Sequence, residues 1–467
     1  MNKMIEDIKQ ARLSSVPFTP TWSPYNAEAE QAVQDVLDAI GNPTRTKHKY
    51  QRVIASILAQ ADAAWLKDGG AIAIPKRAND YEYNDVGRTV VNAVVNGMEE
   101  AGLITFVDIS GQRYFYTDED GKTRSIGICS QYEVNESLTQ ITGFWGATWI
   151  EDNRPTVMVG KAETSNARYA RKALGIRTPK MKPKVMKETF RREYVAVKNG
   201  VKVLGKYWQN HPLALPPIGI RPPFYAASAT RTFHNGRLDS GGRYYGSWSS
   251  VAGNLRLQST IDGVPVVEID LNASQPTLFS ALLGEPMEVS NTWSDLYEEI
   301  IRDVSITGSK DKPTTKRKKI KQITTELIGT GNPAKSHPAP DSDVAWASQD
   351  EWDMYRLALL YHVPALQQLN GEYHNGSGFI SYHEAEIMRL TLHELMQLDI
   401  PAYPMHDCVI VKKPDQAQAI DTYRSVIRKY VLAFNRKHKT KEIDITVPLS
   451  VEEYNLEKVR LSGGYNS

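Results

Sequence analysis

The stretch VPVVEIDLNASQPTLFSALLG, residues 264–284, constrains the fold of this chain more than any other. It opens as an apolar, β-branched strand and closes as an apolar helix, with Asp270 at the end of the strand. Glu268 and Asp270 are two residues apart, so a regular strand directs both side chains to one face. An ionised carboxylate at the end of so apolar a strand is costly unless a partner offsets its charge. The pattern therefore predicts a largely buried strand that carries an acid with something to bind.

Length and composition bound the class of protein. At 467 residues the chain has room for two to four units of roughly 100–200 residues each. Its 41% hydrophobic and 24% charged residues are typical of a globular protein, and its two cysteines favour a reducing compartment over a disulfide framework. No apolar run reaches the roughly 18 residues of a membrane span, and the first residues lack the apolar core of a signal peptide. We therefore expect a soluble intracellular protein without a membrane partner.

Residues 1–149 predict an N-terminal domain of the winged-helix type. YQRVIASILAQADAAWL has the pattern of an amphipathic helix, and DVGRTVVNAVVNGMEEAGLITFV that of a second helix running into a strand. A short turn leads to RYFYT, and EDGKTRSIGICS follows. Helix, strand, turn and strand is the order of a winged helix-turn-helix module. A plain α+β packing or dimerisation domain is the alternative.

Residues 150–229 differ in charge from the rest of the chain. The net charge of the whole protein is only +2, but the stretch from 167 to 208 carries many lysines and arginines against two glutamates, with Tyr and Trp interleaved. Such a pattern favours contact with a phosphate backbone, and a solvated helix face is the alternative. The candidate contacts are Lys180, Lys182 and Lys184. We predict a basic helical region here, acting as a thumb or a linker.

The remaining residues, 230–467, contain basic and acidic motifs in a fixed order. HNGRLDSGGRYYGSWSS places Arg237 and Arg243 among glycines that let the backbone approach a ligand, and the strand that ends at Asp270 follows. In TTKRKKIKQITTELIGTGN, Arg317 and Lys321 are four apart, so they share one helical face and can bind one anion together.

The last motif, IPAYPMHDCVIVKK, predicts a β-hairpin with an acid at its tip, Asp407. Two aspartates at the ends of neighbouring strands can hold a pair of Mg²⁺ ions about 4 Å apart, with Mn²⁺ as an alternative metal. A cationic helix facing them can bind a triphosphate and offset the charge that develops on it. We therefore predict that Asp270 and Asp407 bind metal.

These motifs, in this order, resemble the polymerase module of family-A DNA polymerases and single-subunit phage RNA polymerases. NGRLDS is similar to the Gly-Arg-Leu-Ser-Ser element, EIDLNASQPTLFSALL to the first metal motif, and SDLYEEII to the helix after it. RKKIKQITTELIGTG is similar to the Arg-x-x-x-Lys fingers helix, and MHDCVIV to the second metal motif. The likeness covers roughly residues 230–450. It implies a mixed α+β right-hand fold with an antiparallel palm sheet, reduced helical fingers at about 286–345 and a thumb.

The resemblance implies a role for each matched residue. The metal ligands would be Asp270 and Asp407, assisted by the Leu271 carbonyl. Arg317 and Lys321 would bind the triphosphate, and Lys321 would be able to protonate the leaving pyrophosphate.

The resemblance also implies contacts with the nucleotide and the nucleic acid. Tyr297 would line the phosphate site, and His406 would touch the primer end. Arg237 and Arg243 would contact the nucleic-acid backbone. The partners would be a DNA primer and template, or RNA, together with dNTP or NTP.

The chain departs from the family at two positions of the nucleotide site. DNA polymerases of the family carry Glu where this chain has Gln275, and an aromatic residue where it has Gly329. Both changes weaken the expected exclusion of a ribose 2′-hydroxyl. No Asp-x-Glu proofreading motif is evident before residue 230, so no exonuclease is expected.

Taken together, the sequence predicts a compact template-directed nucleotidyltransferase of a phage or plasmid replication module, cytoplasmic in a bacterial host. A DNA polymerase of family-A type is the preferred assignment, and a primase or single-subunit RNA polymerase is the alternative. From another class, a non-catalytic replication initiator that binds DNA stays open.

Overall fold

A computed structural model describes most of the chain. The described residues are 15–41, 43, 46–65, 71–75, 81, 86–107, 113–117, 123–127, 129–162, 181, 188–217, 223–285, 296–338, 344–369, 376–445 and 449–454. The protein has a mixed α+β fold and divides into two compact units. Unit 1 comprises Met1–Arg231 and Tyr245–Pro265, and unit 2 comprises Thr232–Tyr244 and Val266–Ser467.

Unit 1 contains both helices and short strands. Its helices are Ala27–Ala39 (α1), Lys47–Trp65 (α2), Arg88–Glu100 (α3), Glu136–Thr139 (α4), Glu188–Asn210 (α5) and Gly253–Arg256 (α6), with a 3₁₀ helix at Ser247–Ser250. Its strands are Ser15–Pro17 (β1), Trp22–Pro24 (β2), Ala71–Ile74 (β3), Ile104–Val107 (β4), Arg113–Thr117 (β5), Thr123–Gly127 (β6), Ser130–Val134 (β7), Trp149–Glu151 (β8), Val157–Val159 (β9), Leu213–Leu215 (β10), Phe224–Ala226 (β11) and Thr260–Ile261 (β14). Three strands contain the points at which the chain passes between the units: Thr230–Phe233 (β12), Gly241–Tyr245 (β13) and Val264–Leu271 (β15).

The N-terminal part of unit 1 packs helices α1, α2 and α3 together with a small sheet. The strand order is β1-β3-β7-β4, and β5 pairs only with β6 among the described strands. Helix α3 buries Val91, Val94, Val95 and Met98, the i, i+3, i+4, i+7 spacing of an amphipathic helix. The helices, the helix-to-strand step and the paired strands that the sequence predicts here are therefore present. Their assignment to the winged-helix class stays a prediction.

The rest of unit 1 is built on a second sheet and helix α5. Strands β14, β10, β11, β8 and β2 lie side by side in that order, and β11 pairs parallel with β8. Helix α5 buries Tyr194, Val201, Leu204 and Trp208 along one side. The ring of Trp208 meets that of Trp248 edge to face, with centroids 5.8 Å apart. Helix α5 thus lies where a basic helix was expected, but the range 150–229 also contains strands that the sequence analysis did not anticipate.

Unit 2 is richer in helix. Its helices are Ser274–Leu283 (α7), Leu296–Ile306 (α8), Pro313–Thr330 (α9), Gln349–His362 (α10), Gly376–Gln397 (α11) and Gln416–His438 (α12), with 3₁₀ helices at Pro364–Leu369 and Lys413–Asp415. Its remaining strands are Ala402–Met405 (β16), Cys408–Lys412 (β17) and Leu449–Glu453 (β18).

Strand β15 lies at the centre of the unit 2 sheet. It pairs antiparallel with β17 on one side and with β18 on the other, and β16 pairs with the far side of β17. Val266, Val267 and Ile269 are buried, as expected for a central strand rich in β-branched residues.

Helix α7 follows β15 directly and forms the core of unit 2. Every residue of α7 except Gln275 is buried, the behaviour of a helix that is apolar on all sides. The helix packs against α11 and α12, and Asn435 of α12 donates hydrogen bonds to the Ala281 and Leu282 carbonyls at its end. The chain then turns at Gly284, where φ is +72° and an added Cβ would lie 2.7 Å from the Lys441 backbone. Helices α8, α9 and α10 pack on one another, and α9 also contacts α11.

Candidate functional site

Asp270 lies at the end of the central strand, between two neighbours. In the sheet register it is opposite Cys408 of β17 and Ser450 of β18. The side chain is half-buried, whereas Ile269 before it and Leu271 after it are buried. The strand thus places the Asp270 carboxylate at the edge of the core, as the sequence pattern of the strand predicts.

Asp407 lies at the tip of the hairpin formed by β16 and β17. Met405 pairs with Cys408, so His406 and Asp407 form a two-residue connection, with His406 in the left-handed region at φ +59°. The hydroxyl of Tyr423, from α12, donates a hydrogen bond of 2.7 Å to the Asp407 carbonyl and fixes the tip. Because Asp270 is opposite Cys408 in the register, and Asp407 precedes Cys408, the structure brings the two predicted aspartates to the same place.

The carboxylates around Asp270 leave this end of the sheet strongly negative. Burial first, and then the charges of Asp407, Glu452 and Glu268 in that order, together raise the pKa of Asp270 to about 7, against one backbone hydrogen bond from Leu271 that lowers it. Glu268 and Glu452 are themselves directly opposite in the β15–β18 register, an unfavourable like-charge pair. A cation bound at this end would relieve all of these repulsions.

The donor set fits a magnesium site of the kind completed by a substrate. Within the described ranges no three side chains among His, Cys, Asp and Glu converge on one point as a ready-made metal cage. Mg²⁺ in phosphoryl-transfer enzymes is usually held by one or two carboxylates together with substrate phosphates and water. Asp270 and Asp407 supply that number of carboxylates, and the Leu271 carbonyl follows Asp270 in the chain.

A third acid, Glu384, was missed by the sequence analysis. It lies on α11, is 3% exposed, and accepts hydrogen bonds from Arg243 of β13 and, at 2.6 Å, from Ser274 Oγ of α7. Burial raises its pKa, the Arg243 charge opposes that effect, and the Asp407 charge reinforces it. Arg243, predicted to contact nucleic acid, is therefore engaged by a buried carboxylate, with a side chain that is 21% exposed.

The three residues predicted to bind the nucleotide phosphates lie together. The Arg317 guanidinium is 5.1 Å and the Lys321 ammonium 6.0 Å from the centroid of the Tyr297 ring, and both cations come from α9. Tyr297, on α8, is buried, whereas Lys321 is exposed and Arg317 half-buried. Glu298 approaches Arg317 at 3.6 Å. The site thus presents two cations on one helical face, held beside an aromatic ring.

Two other lysines of this basic run, Lys316 and Lys319, face a different way. Lys319 is buried and pairs with Asp311 at 2.7 Å and Glu351 at 2.6 Å, while the Lys316 ammonium donates to Ser305 Oγ at 2.7 Å. These two lysines fasten α9 to its neighbours instead of crowding Arg317 and Lys321. The exposed face of α9 is therefore less crowded with charge than its sequence suggests.

The remaining predicted residues of unit 2 are distributed as follows. Gln275 is half-buried in the first turn of α7, and Gly329 is exposed near the end of α9, with open space where a Cβ would stand. Arg237 makes a bidentate ion pair with Asp239, both bonds being 2.7 Å, and both side chains are largely exposed. His406 is half-buried at the hairpin tip.

Within the predicted basic region 150–229, the described part of the chain includes the lysines of α5. Lys180, Lys182 and Lys184 lie outside the described residues. On α5, Lys198, Lys202 and Lys206 recur at intervals of four; Lys202 and Lys206 are exposed, and Lys198 is half-buried.

Comparisons with known proteins add a weak likeness of fold. No protein-family model matches the sequence, and no curated protein matches it either. Among solved structures, the POL domain of Pol1 from M. smegmatis, in complex with DNA primer-template and dNTP, is similar with a TM-score of 0.33 and 11% identity. The likeness covers 63% of this chain and 57% of that chain. A similarity with a TM-score this low supports no inference about this chain. Separately, none of the helices described is both long and apolar enough to cross a bilayer.

Proposed function

We propose that this chain is a template-directed nucleotidyltransferase that extends a nucleic-acid strand by metal-dependent phosphoryl transfer. One observation carries the proposal: Asp270 and Asp407 meet at the ends of two paired strands, and burial together with the Asp407 charge raises the pKa of Asp270. An uncompensated pair of carboxylates is destabilising, so its presence calls for a ligand that carries positive charge. Arg317 and Lys321 of α9, the cations proposed to bind phosphate, belong to the same unit.

Each residue of the site has a role in the proposed reaction. Asp270 and Asp407 would hold two Mg²⁺ ions, or Mn²⁺, with help from the Leu271 carbonyl. When bound, these ions would activate the attacking 3′-hydroxyl and stabilise the leaving oxygen.

The fingers helix would handle the phosphates of the nucleotide. Arg317 and Lys321 would bind the triphosphate, and the Tyr297 ring would keep both cations oriented toward it. Lys321, the more exposed of the two, would be able to deliver a proton to the departing pyrophosphate.

The domains outside this site would bind the nucleic acid. We infer a winged-helix-like domain over residues 1–149, a basic thumb-like region over 150–229, and a palm with fingers over 230–467. The lysines of α5 would contact phosphates, as would Lys180, Lys182 and Lys184. His406 would meet the primer end. The setting would be phage or plasmid replication in a bacterial cytoplasm.

We prefer a DNA polymerase of family-A type without a proofreading exonuclease. The sugar site nonetheless favours a second candidate, a primase or RNA polymerase, because Gln275 is neutral and can donate or accept a hydrogen bond with a 2′-hydroxyl. The exposed backbone at Gly329 also leaves no side chain against the nucleotide.

A primer-extension assay with dNTPs and NTPs in separate lanes tests the proposal. Asp270→Ala and Asp407→Ala should each reduce incorporation by about a thousandfold or more, because bound metal supplies several kcal/mol of transition-state stabilisation. Asp421→Ala, at an exposed position of α12, is the matched control and should retain activity.

The outcomes separate the candidate functions. Extension only with dNTPs favours a DNA polymerase, and extension with NTPs favours a primase or RNA polymerase. A folded wild-type protein that binds DNA but extends neither is a non-catalytic initiator. Substantial activity in either aspartate variant would refute the two-metal assignment.

A further inference from the structure

The turn between β15 and α7 is held in an unfavourable backbone conformation. Ala273 has φ +48° and ψ +40°, the left-handed region that a residue with a Cβ adopts at a cost. Such a conformation persists only when the surrounding structure determines it, and residues of this kind are frequent at functional sites. This turn lies between Asp270 and Gln275, the proposed metal ligand and the residue at the proposed sugar site.

Two side chains on either side of Ala273 hold the turn in place. Before it, Asn272 Oδ1 accepts a hydrogen bond of 3.1 Å from Ser450 Oγ of β18. After it, Ser274 Oγ donates a hydrogen bond of 2.6 Å to Glu384 Oε1 of α11. The turn is thus anchored to a strand on one side and to a helix on the other.

Glu384 is itself held by a cation. Its second carboxylate oxygen accepts from Arg243, so both oxygens of a 3% exposed carboxylate have donors. A buried carboxylate survives only with such compensation, and it then orients its partners strongly. Arg243, Glu384 and Ser274 therefore form a fixed chain of contacts from β13 through α11 to the first residue of α7.

We propose that Glu384, acting through Ser274, is a positioning residue that sets the sugar preference of the nucleotide site. The inference rests on the proposed function. Gln275 follows Ser274 directly, so its direction depends on how Ser274 is anchored. Loosening that anchor would move Gln275 relative to Asp270. Discrimination between a ribose and a deoxyribose depends strongly on where this side chain lies, whereas overall affinity for nucleic acid depends on it much less.

Ser274→Ala is the most direct test, because it removes one hydroxyl and leaves the Arg243–Glu384 pair intact. The measured quantity is the ratio of kcat/KM for an NTP to kcat/KM for the matching dNTP on one primer-template. We expect this ratio to change by about fivefold. That is the effect of one lost hydrogen bond, here from Ser274 to Glu384, if its loss changes the stability of one of the two transition states, for NTP or dNTP, relative to the other. Affinity for primer-template, measured without nucleotide, should stay as in the wild type.

The chain offers a matched control in the same helix. Ser280 is 1% exposed, and no described residue makes a hydrogen bond with its hydroxyl. Ser280→Ala therefore removes an equally buried hydroxyl from α7 without touching the turn, and its ratio should equal that of the wild type. Gln275→Glu changes the side chain at the proposed sugar site itself, so its NTP to dNTP ratio shows the largest shift toward dNTPs that we expect from this site.

Glu384 is tested with two variants, because Glu384→Ala leaves Arg243 without its partner and puts folding at risk. Glu384→Gln keeps an oxygen that accepts from Ser274, so its sugar ratio should stay closer to the wild type than that of Glu384→Ala. An active Ser274→Ala enzyme whose ratio matches that of Ser280→Ala would overturn the positioning role while leaving the proposed function standing. A wild-type protein that incorporates neither nucleotide would overturn the proposed function, and the inference with it.

Discussion

Replacing Asp270 by asparagine should stabilise the metal-free protein, although it removes a residue proposed to be essential. Burial, reinforced by Asp407 and two glutamates, raises the pKa of Asp270 from 3.8 to about 7. At pH values between these two pKa values, Asp270 is protonated in the folded state and ionised in the unfolded state. The contribution of Asp270 to stability is therefore complete below about pH 4, declines as the pH rises, and is lost above about pH 7.

The size of this free-energy difference follows from the size of the pKa shift of Asp270. At about 1.4 kcal/mol per tenfold change, a pKa moved from 3.8 to about 7 corresponds to about 4 kcal/mol between the two limits. Asp270 is only half-buried, so solvent screens part of this cost. We expect Asp270→Asn to be about 2 kcal/mol more stable than the wild type at pH 8, with most of that advantage gone at pH 5.

Urea unfolding in EDTA at a series of pH values between 5 and 8 measures this difference. Asp421→Asn, at an exposed position of α12, is the control and should follow the wild type at every pH. Added Mg²⁺ should stabilise the wild type and leave Asp270→Asn nearly unchanged. A difference between Asp270→Asn and wild type that stays constant from pH 5 to pH 8 would refute the electrostatic account of this site.

Two further predictions concern charge on helices. Lys321→Ala should lower kcat/KM for the nucleotide about tenfold or more in steady-state extension, whereas Lys318→Ala, exposed on the same helix, should not; equal effects would remove Lys321 from the phosphate site. Replacing Lys198, Lys202 and Lys206 of α5 with Ala should flatten the log–log dependence of duplex affinity on salt, by up to about 0.9 for each phosphate that the variant no longer neutralises. Titrations over a several-fold range of salt concentration should show this, and an unchanged slope would make α5 a solvated face.

Much of the local structure of the site could be predicted from the sequence. The change from alternating β-branched residues to a continuous apolar helix marks the step from β15 to α7. Turn chemistry and flanking apolar runs mark the hairpin around Asp407. Spacing of four places Arg317 and Lys321 on one face. Each of these inferences needs only neighbours within a few residues.

What could not be predicted depends on contacts between distant parts of the chain. Glu384 has the sequence surroundings of a solvated helical acid, and its burial depends on Ser274 and Arg243, which are 110 and 141 residues away. Lys316 and Lys319 belong to a basic run that suggests a uniformly exposed face. They are buried because they have partners outside α9: Ser305 of α8 accepts a hydrogen bond from Lys316, and Asp311, before α9, and Glu351 of α10 pair with Lys319.

The central place of β15 has a consequence for how the protein is made. The preceding strand β14 pairs only with its first two residues, Val264 and Pro265. Over Val267–Asp270 the neighbours on both sides, β17 and β18, come later in the chain, with Asp270 opposite Cys408 and Ser450. At a synthesis rate of about 5–20 residues per second, the ribosome needs about 10–35 s to make the roughly 180 residues that separate β15 from β18. Until β17 is made, this apolar strand has both edges open to other chains, and the edge that pairs with β18 stays open for the whole of that time. An open edge favours association with chaperones or with a second nascent chain. The strand that carries the proposed metal ligand is therefore also a segment that needs protection during translation.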